Sequence, residues 1–415
     1  DRSLVGSEMC IRDRINKKSG WQGCNLTEIN GGKCNTEEDF YKACRAASIL
    51  GTLQAGYTDF KFLSDTSKKI FDREALLGVS ITGWMNNPDI LFDEKILQKG
   101  AKIVKDVNKE VAAVIGINPA ARTTCVKPSG NASVLLQTAS GIHAEHSSMY
   151  IRNVQMNKES EITQAIMKTN PYMVEESVWS AGGTDVVVSF PILPKKGSMY
   201  KDDLLGVKHL KLVAKAQKHW VEAGTNEDLC ADKGVRHNVS NTIIVDDWDA
   251  VEKYVFENRR SFAGISFLGM TGDKDYNQAP NTAVITAKDM VKKYGNAAVF
   301  ASGMVVDALK CFSNLWDACS TAKGFGEDIS LETSENAIKR DWVRRFYKFA
   351  DNYLNEDTML AEYCLKDAYL LHKWNKIQST LKTVDWKEDI KERKYTDVDT
   401  LAAAACAGGA CEIDF

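Results

Sequence analysis

Two cysteines stand almost at the end of the chain, Cys406 and Cys411, separated by Ala-Gly-Gly-Ala and followed only by Glu-Ile-Asp-Phe. Gly408 and Gly409 leave the backbone free enough to close a disulfide ring between the two sulfurs. A dithiol in such a place adds nothing to a core, and chain ends are where mobility concentrates. The pattern reads as a redox arm that reaches a disulfide elsewhere in the protein.

Other residues could also carry chemistry. The stretch Thr123-Thr-Cys-Val-Lys-Pro-Ser-Gly-Asn-Ala-Ser133 runs from a strand through a Pro-Ser-Gly turn towards a helix. A helix start offers unpaired N–H groups to an anion, so Ser129, Gly130, Asn131, Ala132 and Ser133 could hold a phosphate. An ordinary turn is the plainer reading of the same residues. Cys24 opens a strand-like run to Ile29, where a lone cysteine is usually inert packing. Cys24, Cys34 and Cys44 stand ten apart, unlike the close pairs of structural zinc sites, and no metal site is expected. Cys311 and Cys319 read as core residues two turns apart on one helix. His143 and His146 are either ligands or bases, or merely satisfied polar side chains. No Ser-His-Asp arrangement and no Walker-type loop is evident.

The elements that must position these groups follow from pattern. Thr36 before Glu37, Glu38 and Asp39 is a helix start, and Phe40, Ala43, Ala47 and Leu50 share a face of a helix that runs to about Gly56. Residues 186–192 read as a buried strand, and Leu210, Val213, Ala216 and Trp220 as an amphipathic helix closing near Gly224. Residues 242–245, a following helix with acids at its start, and residues 264–268 make a βαβ-type unit. Residues 341–376 read as helical, and structure fades from about Lys387. Residues 1–14 read as a foreign leader, residues 15–340 as the α/β body, residues 341–386 as a helical extension and residues 387–415 as a flexible tail.

Composition narrows the partners. Lys and Arg number 53 against 56 Asp and Glu, a net charge of −3, which gives no electrostatic footprint for nucleic acid or an anionic membrane. No apolar run is long enough to span a bilayer. Eleven cysteines without a regular framework point to reducing cytosol, so a cytoplasmic location is expected.

Taken in order, Trp21-Gln-Gly-Cys-Asn-Leu-Thr-Glu-Ile-Asn30, Ile49-Leu-Gly-Thr-Leu-Gln54, Leu76-Leu-Gly-Val-Ser-Ile-Thr-Gly83, the 123–133 stretch, Gly141-Ile-His143, Tyr150-Ile-Arg152, His237-Asn-Val-Ser-Asn-Thr242 with Trp248, Phe262-Ala-Gly-Ile-Ser266 and the cysteine tail resemble the adenosylcobalamin-dependent (class II) ribonucleotide reductases, especially phage-like and bacterial forms acting on triphosphates. The resemblance implies part of a ten-stranded α/β barrel with outer helices, and adenosylcobalamin as cofactor. It also implies a ribonucleotide substrate, di- or triphosphate, and a thioredoxin-type reductant. In that family a cobalamin-generated thiyl radical abstracts the ribose 3′-hydrogen and the 2′-hydroxyl leaves as water. Two barrel cysteines supply the electrons, and a C-terminal dithiol re-reduces them. Cys24 matches one barrel cysteine, Cys406 and Cys411 match the shuttle, and Ser129 to Ser133 match the phosphate loop.

The sequence departs from the family in one respect. The radical cysteine lies in an Asn-x-Cys-x-Glu loop, which this sequence lacks, and the second barrel cysteine is also unmatched. The expectation is that both lie upstream and that this chain alone is inactive. A class I catalytic subunit is the alternative, disfavoured because its adjacent tyrosine pair is missing here. A non-catalytic nucleotide-binding or thiol-relay protein of the same fold is another.

Overall fold

Thr36 opens the first long helix as the sequence predicts. Its hydroxyl accepts from the Asp39 N–H while the Asp39 carboxylate accepts from the Thr36 N–H, and α1 (Glu37–Ala55) buries Phe40, Cys44, Ala47 and Gly51. α2 (Asp65–Glu74) starts on Ser64, and α3 (Glu94–Ile115) starts on Asp93, whose carboxylate accepts from two backbone N–H groups. This computed structural model describes residues 11–15, 18–231, 233–270, 276–325 and 334–386. Cys406 and Cys411 lie outside the described residues.

The described residues divide into two compact units, one falling within 11–148 and 194–270, the other within 149–193 and 276–386. In the first, β1 (Ile11–Ile15) and β2 (Lys18–Gln22) form an antiparallel hairpin. β3 (Asn25–Asn30) pairs in parallel with β4 (Leu77–Thr82), Leu26 opposite Gly78 and Glu28 opposite Ser80. Val79 then bridges Thr124 in parallel, and Val126 bridges Val239 in parallel. The chain continues from Val239 into β5 (Thr242–Val245), which pairs in parallel with β6 (Ser266–Gly269). A run of parallel pairings thus links β3, β4, residues 122–127, residues 239–245 and β6, with helices in the connections as parallel strands require.

One face of this run is apolar. Ile29, Leu77, Val79, Ile81, Val126 and Val239 join one core with Phe40, Leu97, Val104 and Trp220 from the helices. Each large side chain fully buried there contributes roughly 1.5–3 kcal/mol. α4 (Gly130–Leu136) follows the Pro-Ser-Gly turn. α5 (Gly206–Ala216) passes into a π-helical turn, Gln217–Glu222. There Thr124 Oγ1 donates to the Trp220 carbonyl at 2.7 Å, and the Trp220 indole donates to the Cys125 carbonyl at 3.0 Å. Gly224 is required beside this turn, since a Cβ would stand 1.9 Å from Thr124 Oγ1. The predicted βαβ unit is present as β5, α6 (Trp248–Glu257) and β6.

The second unit holds a four-stranded antiparallel sheet in the order Asn281–Ala283, Tyr150–Asn157, Asp185–Ile192, Val174–Glu176. Five helices follow, Ala287–Tyr294, Ala297–Cys311, Leu315–Phe325, Ser334–Tyr353 and Thr358–Thr380. Cys311 and Cys319 do not share one helix. The first helix closes at Cys311, and the Asn314 side chain accepts from the Asp317 N–H to start the next. Cys319 is buried and Cys311 half-buried. The helical region predicted over 341–376 is likewise broken, at Asn355 and Glu356, both with positive φ. Among the described residues no single helix is long and apolar enough to cross a membrane.

The chain is therefore α/β. Among the described residues its sheets are small, with two or four strands each.

Candidate functional site

Side chains alternate along a strand, so the face of the parallel run opposite the apolar one carries Cys24, Leu26 and Glu28, then Gly78 and Ser80, then Cys125 and Lys127. The contacts agree with this register. Ser80 Oγ donates to Glu28 Oε1 at 3.2 Å, and the Lys127 N–H donates to Ser80 Oγ at 2.9 Å. A Cβ on Gly78 would stand 2.7 Å from Cys24 Sγ and 3.1 Å from Cys125 Sγ. The absence of a side chain at Gly78 is what lets the two sulfurs approach the same point.

Cys24 keeps some solvent contact, while Lys127 is 9% exposed and His237 8%. Cys24 Sγ lies 3.8 Å from His237 Nε2, and His237 Nδ1 lies 3.0 Å from the Thr124 carbonyl oxygen. Burial pushes the Cys24 thiol up to about 12, against the opposing pull of the Lys127 and Arg122 charges. Burial likewise lowers His237 to about 4, with its bond to Thr124 acting in the other direction. Glu28 is raised to about 7 by burial, countered by Ser129, Ser80 and Lys127. Lys127 thus acts on both Cys24 and Glu28, two residues about 13 Å apart along one strand.

A buried ion-pair network anchors this face from below. Glu74, at the end of α2, accepts from Gln22 Nε2 and Arg122 Nη1 on one oxygen and from Arg73 Nη2 and the Ala231 N–H on the other. Arg122 also donates from Nε to the Val235 carbonyl at 2.9 Å. The network ties α2, the 122–127 strand and the loop leading to His237 into one body.

The predicted phosphate turn lies at the end of that strand. Ser129 adopts a left-handed conformation, φ 54°, and caps the seven-residue α4. Its hydroxyl is buried and reaches no partner at hydrogen-bonding geometry, although it is close enough to Glu28 to counter the effect of burial. Gly130 and Asn131 are exposed and Ala132 partly so. Ser133 turns onto its own helix, its N–H donating to the Ser129 carbonyl and its hydroxyl to that of Gly130. The N–H groups of Gly130, Asn131 and Ala132 are the ones a helix start leaves for a ligand. Asn30, at the far end of β3, donates to the Leu136 carbonyl at 2.9 Å and fixes α4 against the strand.

The histidine loop is structural in its geometry. His143 Nδ1 meets the Ser140 carbonyl at 3.0 Å and its Nε2 accepts from the Thr242 N–H at 3.0 Å, so both nitrogens are used. Burial holds its pKa low. Cys34 donates to the Asn30 carbonyl, and Cys44 is buried in the core beside Phe40.

Sequence reading did not single out Glu28, Ser80, Cys125, Lys127 or His237 as site residues. A signal was available in the alternations Cys-x-Leu-x-Glu, Gly-x-Ser and Cys-x-Lys, each a polar or small set on one face of a strand.

No family model matches the sequence. A probable adenosylcobalamin-dependent ribonucleoside-triphosphate reductase of Dictyostelium discoideum is 26% identical over 228 residues, 54% of this chain and 28% of that protein. An adenosylcobalamin-dependent ribonucleoside-triphosphate reductase of Euglena gracilis is 23% identical over 54% of this chain and 30% of its own length. One of Lactobacillus acidophilus is 25% identical over 40% of this chain and 27% of its own length. The chain thus spans less than a third of the curated relatives it matches. Among solved structures, a B-12 dependent (class II) ribonucleotide reductase superposes with a TM-score of 0.53 and 17% identity, over 64% of this chain and 39% of that one. By sequence the chain is similar to adenosylcobalamin-dependent ribonucleoside-triphosphate reductases, and by fold to a class II ribonucleotide reductase.

Proposed function

We propose that the chain is part of a ribonucleotide reductase that converts ribonucleoside triphosphates, or diphosphates, to 2′-deoxyribonucleotides. The observation that carries this reading is one face of the parallel run, holding a thiol at the start of β3 and a phosphate-type turn at the end of the 122–127 strand. Glu28, which the Ser129 hydroxyl approaches, stands about 13 Å along β3 from Cys24, so the thiol and the turn are set apart along this face. Lys127 and the free N–H groups of Gly130, Asn131 and Ala132, with the Ser129 hydroxyl, would take the phosphates, and Ser133 would shape the turn. Cys24 would give electrons at the ribose. The parallel run from β3 to β6 would be one side of a ten-stranded barrel of the reductase type.

In this reading Cys24 ends each turnover in a disulfide with a second barrel cysteine, and Cys406 and Cys411 reduce it. A thioredoxin-type reductant then restores the tail pair. A buried disulfide needs an incoming thiolate to reach a sulfur in line, which a dithiol on a long tail can do. Adenosylcobalamin would supply the radical. The face around Cys24 offers a thiol, a carboxyl, an ammonium and hydroxyls, the groups a ribonucleotide takes, rather than an apolar plate for a corrin ring. No residue of this chain is therefore assigned to the cofactor, and no step is routed through it. A cytoplasmic location without nucleic-acid or membrane partners belongs to the same reading.

The test is turnover by the gene product that carries this chain, supplied with ribonucleotide, adenosylcobalamin and a dithiol. Deoxyribonucleotide should form, and Cys24→Ser should abolish it. Nucleotide binding without any deoxyribonucleotide, in a product that contains an Asn-x-Cys-x-Glu loop, would favour a non-catalytic nucleotide-binding protein.

A further inference from the structure

We propose that His237 is the proton acceptor of Cys24, the two side chains forming a thiol–imidazole pair that sets how fast Cys24 exchanges with a disulfide. The tautomer follows from the neighbours. The Thr124 carbonyl oxygen can only accept, so the His237 nitrogen 3.0 Å away, Nδ1, carries the hydrogen. In the neutral ring Nε2 is then bare, and it is Nε2 that faces Cys24 Sγ at 3.8 Å. The separation is at the long end for a bond to sulfur, as catalytic contacts often are before a reactant draws them in.

The ring is held where it can act. Gln217, from the π-helical turn, donates to the His237 carbonyl at 3.1 Å, and π turns are frequent beside functional sites. The strand below is tied to the same turn through Thr124 and Cys125. The ionic groups bearing on both partners are Arg122 and Lys127, and Arg122 is engaged by Glu74. Both cations favour a thiolate at Cys24 and disfavour a charge on His237, so a proton accepted by the ring is readily passed on.

The need for an acceptor is quantitative. With the thiol pushed up to about 12, unaided ionisation at pH 7 leaves about one molecule in 10⁵ as thiolate. His237, lowered to about 4, stays neutral through the physiological range, so Nε2 keeps its lone pair towards Cys24; being a weak base, it takes the proton only as the sulfur attacks and not beforehand. In the exchange step the Cys24 sulfur attacks one sulfur of a disulfide and a new S–S bond forms. The old S–S bond breaks, its electron pair leaving on the departing sulfur. The Cys24 proton moves to Nε2 and from there to the departing thiolate, so the disulfide is the only oxidant required. Run in reverse, the pair would protonate Cys24 as a tail dithiol releases it, an extension that rests on the reductase reading.

The experiment is labelling of Cys24 in the reduced chain by an aromatic disulfide, 5,5′-dithiobis(2-nitrobenzoic acid), with the Cys24 peptide quantified by mass spectrometry across the pH range. For the wild type we expect a rate that is nearly flat from about pH 5.5 to 8. His237→Gln should react about 100-fold more slowly near pH 6 and gain about tenfold per pH unit. Added imidazole should restore part of the rate to His237→Gly, which a packing role would not allow. The wild-type profile needs no variant to fold: a rise of about tenfold per pH unit through that range, or no labelling of Cys24 at all, overturns the proposal. So does His237→Gln that matches the wild type in rate and slope. Neither nucleotide nor cobalamin is present, so these failures leave the reductase reading standing, while a reactive pair in a protein that makes no deoxyribonucleotide counts against that reading alone.

Discussion

Glu74→Gln removes one charge and almost no volume, yet it should be among the costliest single changes in the first unit. Glu74 is 2% exposed and Arg122 3%. The carboxylate receives four donors, two on each oxygen. An amide can accept on its one oxygen but turns its NH2 towards two donors at the other position, whichever way it is flipped. Arg122 would remain buried opposite a neutral group, and breaking a buried pair in this way costs about 3–5 kcal/mol. Arg73, a third exposed, adds little to that figure. The assay is amide hydrogen exchange, because the amide of Leu77 donates to the Arg122 carbonyl and that of Cys125 to Val79 in the same strand run. Peptides covering these positions should lose protection by about 3 kcal/mol, while peptides from 297–311 and 358–380 serve as controls that should not change. Glu74→Leu with Arg122→Met should recover most of the loss, since a well-packed apolar replacement of both partners is often neutral. A change below about 1 kcal/mol in Glu74→Gln, or an equal loss in the control peptides, would refute the account of this network.

Three further outcomes are expected. Glu28 binds its proton more tightly in the fold, about 7 against an ordinary 4.5, so the unfolded chain gives up that proton first and stability falls as pH rises between those values, then levels; Glu28→Gln should remove this dependence, and denaturation midpoints whose pH profile is unchanged by the substitution would contradict it. Gly78→Ala places a Cβ 2.5 Å from Leu26 Cδ2 and 2.7 Å from Cys24 Sγ, which should cost about 1–3 kcal/mol and slow Cys24 labelling by moving the sulfur off His237; a labelling rate equal to the wild type would show that the sulfur does not need that space. If the proposed reductase function holds, Cys406→Ser with Cys411→Ser in the complete gene product should leave the first turnover intact and block recycling by a thioredoxin-type reductant in a rapid-quench assay, whereas equal loss of the first turnover would count against a shuttle role for the tail.

The elements that were legible in the sequence are those with a local cause. Thr36 and three following acids announced α1 before any contact was known, and residues 242–245 with the acids after them announced a strand feeding a helix. What was not legible has a non-local cause. Cys311 and Cys319 fit one helix by spacing, and only the Asn314 cap divides it. β4 is buried on both faces from Leu77 to Thr82, so the face towards Glu28 is marked only by the small and hydroxyl residues Gly78, Ser80 and Thr82. Cys24 meets His237 across 213 positions of chain, through a register set by three parallel pairings.

This difference explains why the polar face is the informative part of the molecule. A parallel run covered by helices on one side can bury that side with Val, Ile and Leu at little cost in specificity. Placing Glu28 and the Cys24 thiol on the opposite face, with His237 against the thiol, carries a desolvation penalty at each of these three groups, visible as the raised carboxyl, the lowered imidazole and the raised thiol. Apolar residues at the same positions would give a more stable sheet. A fold that keeps these groups beside Lys127, ties the strand run to Glu74 and Arg122, and has no side chain at Gly78 where Cys24 approaches gives up stability on this face, as the exchange proposed at Cys24 would require.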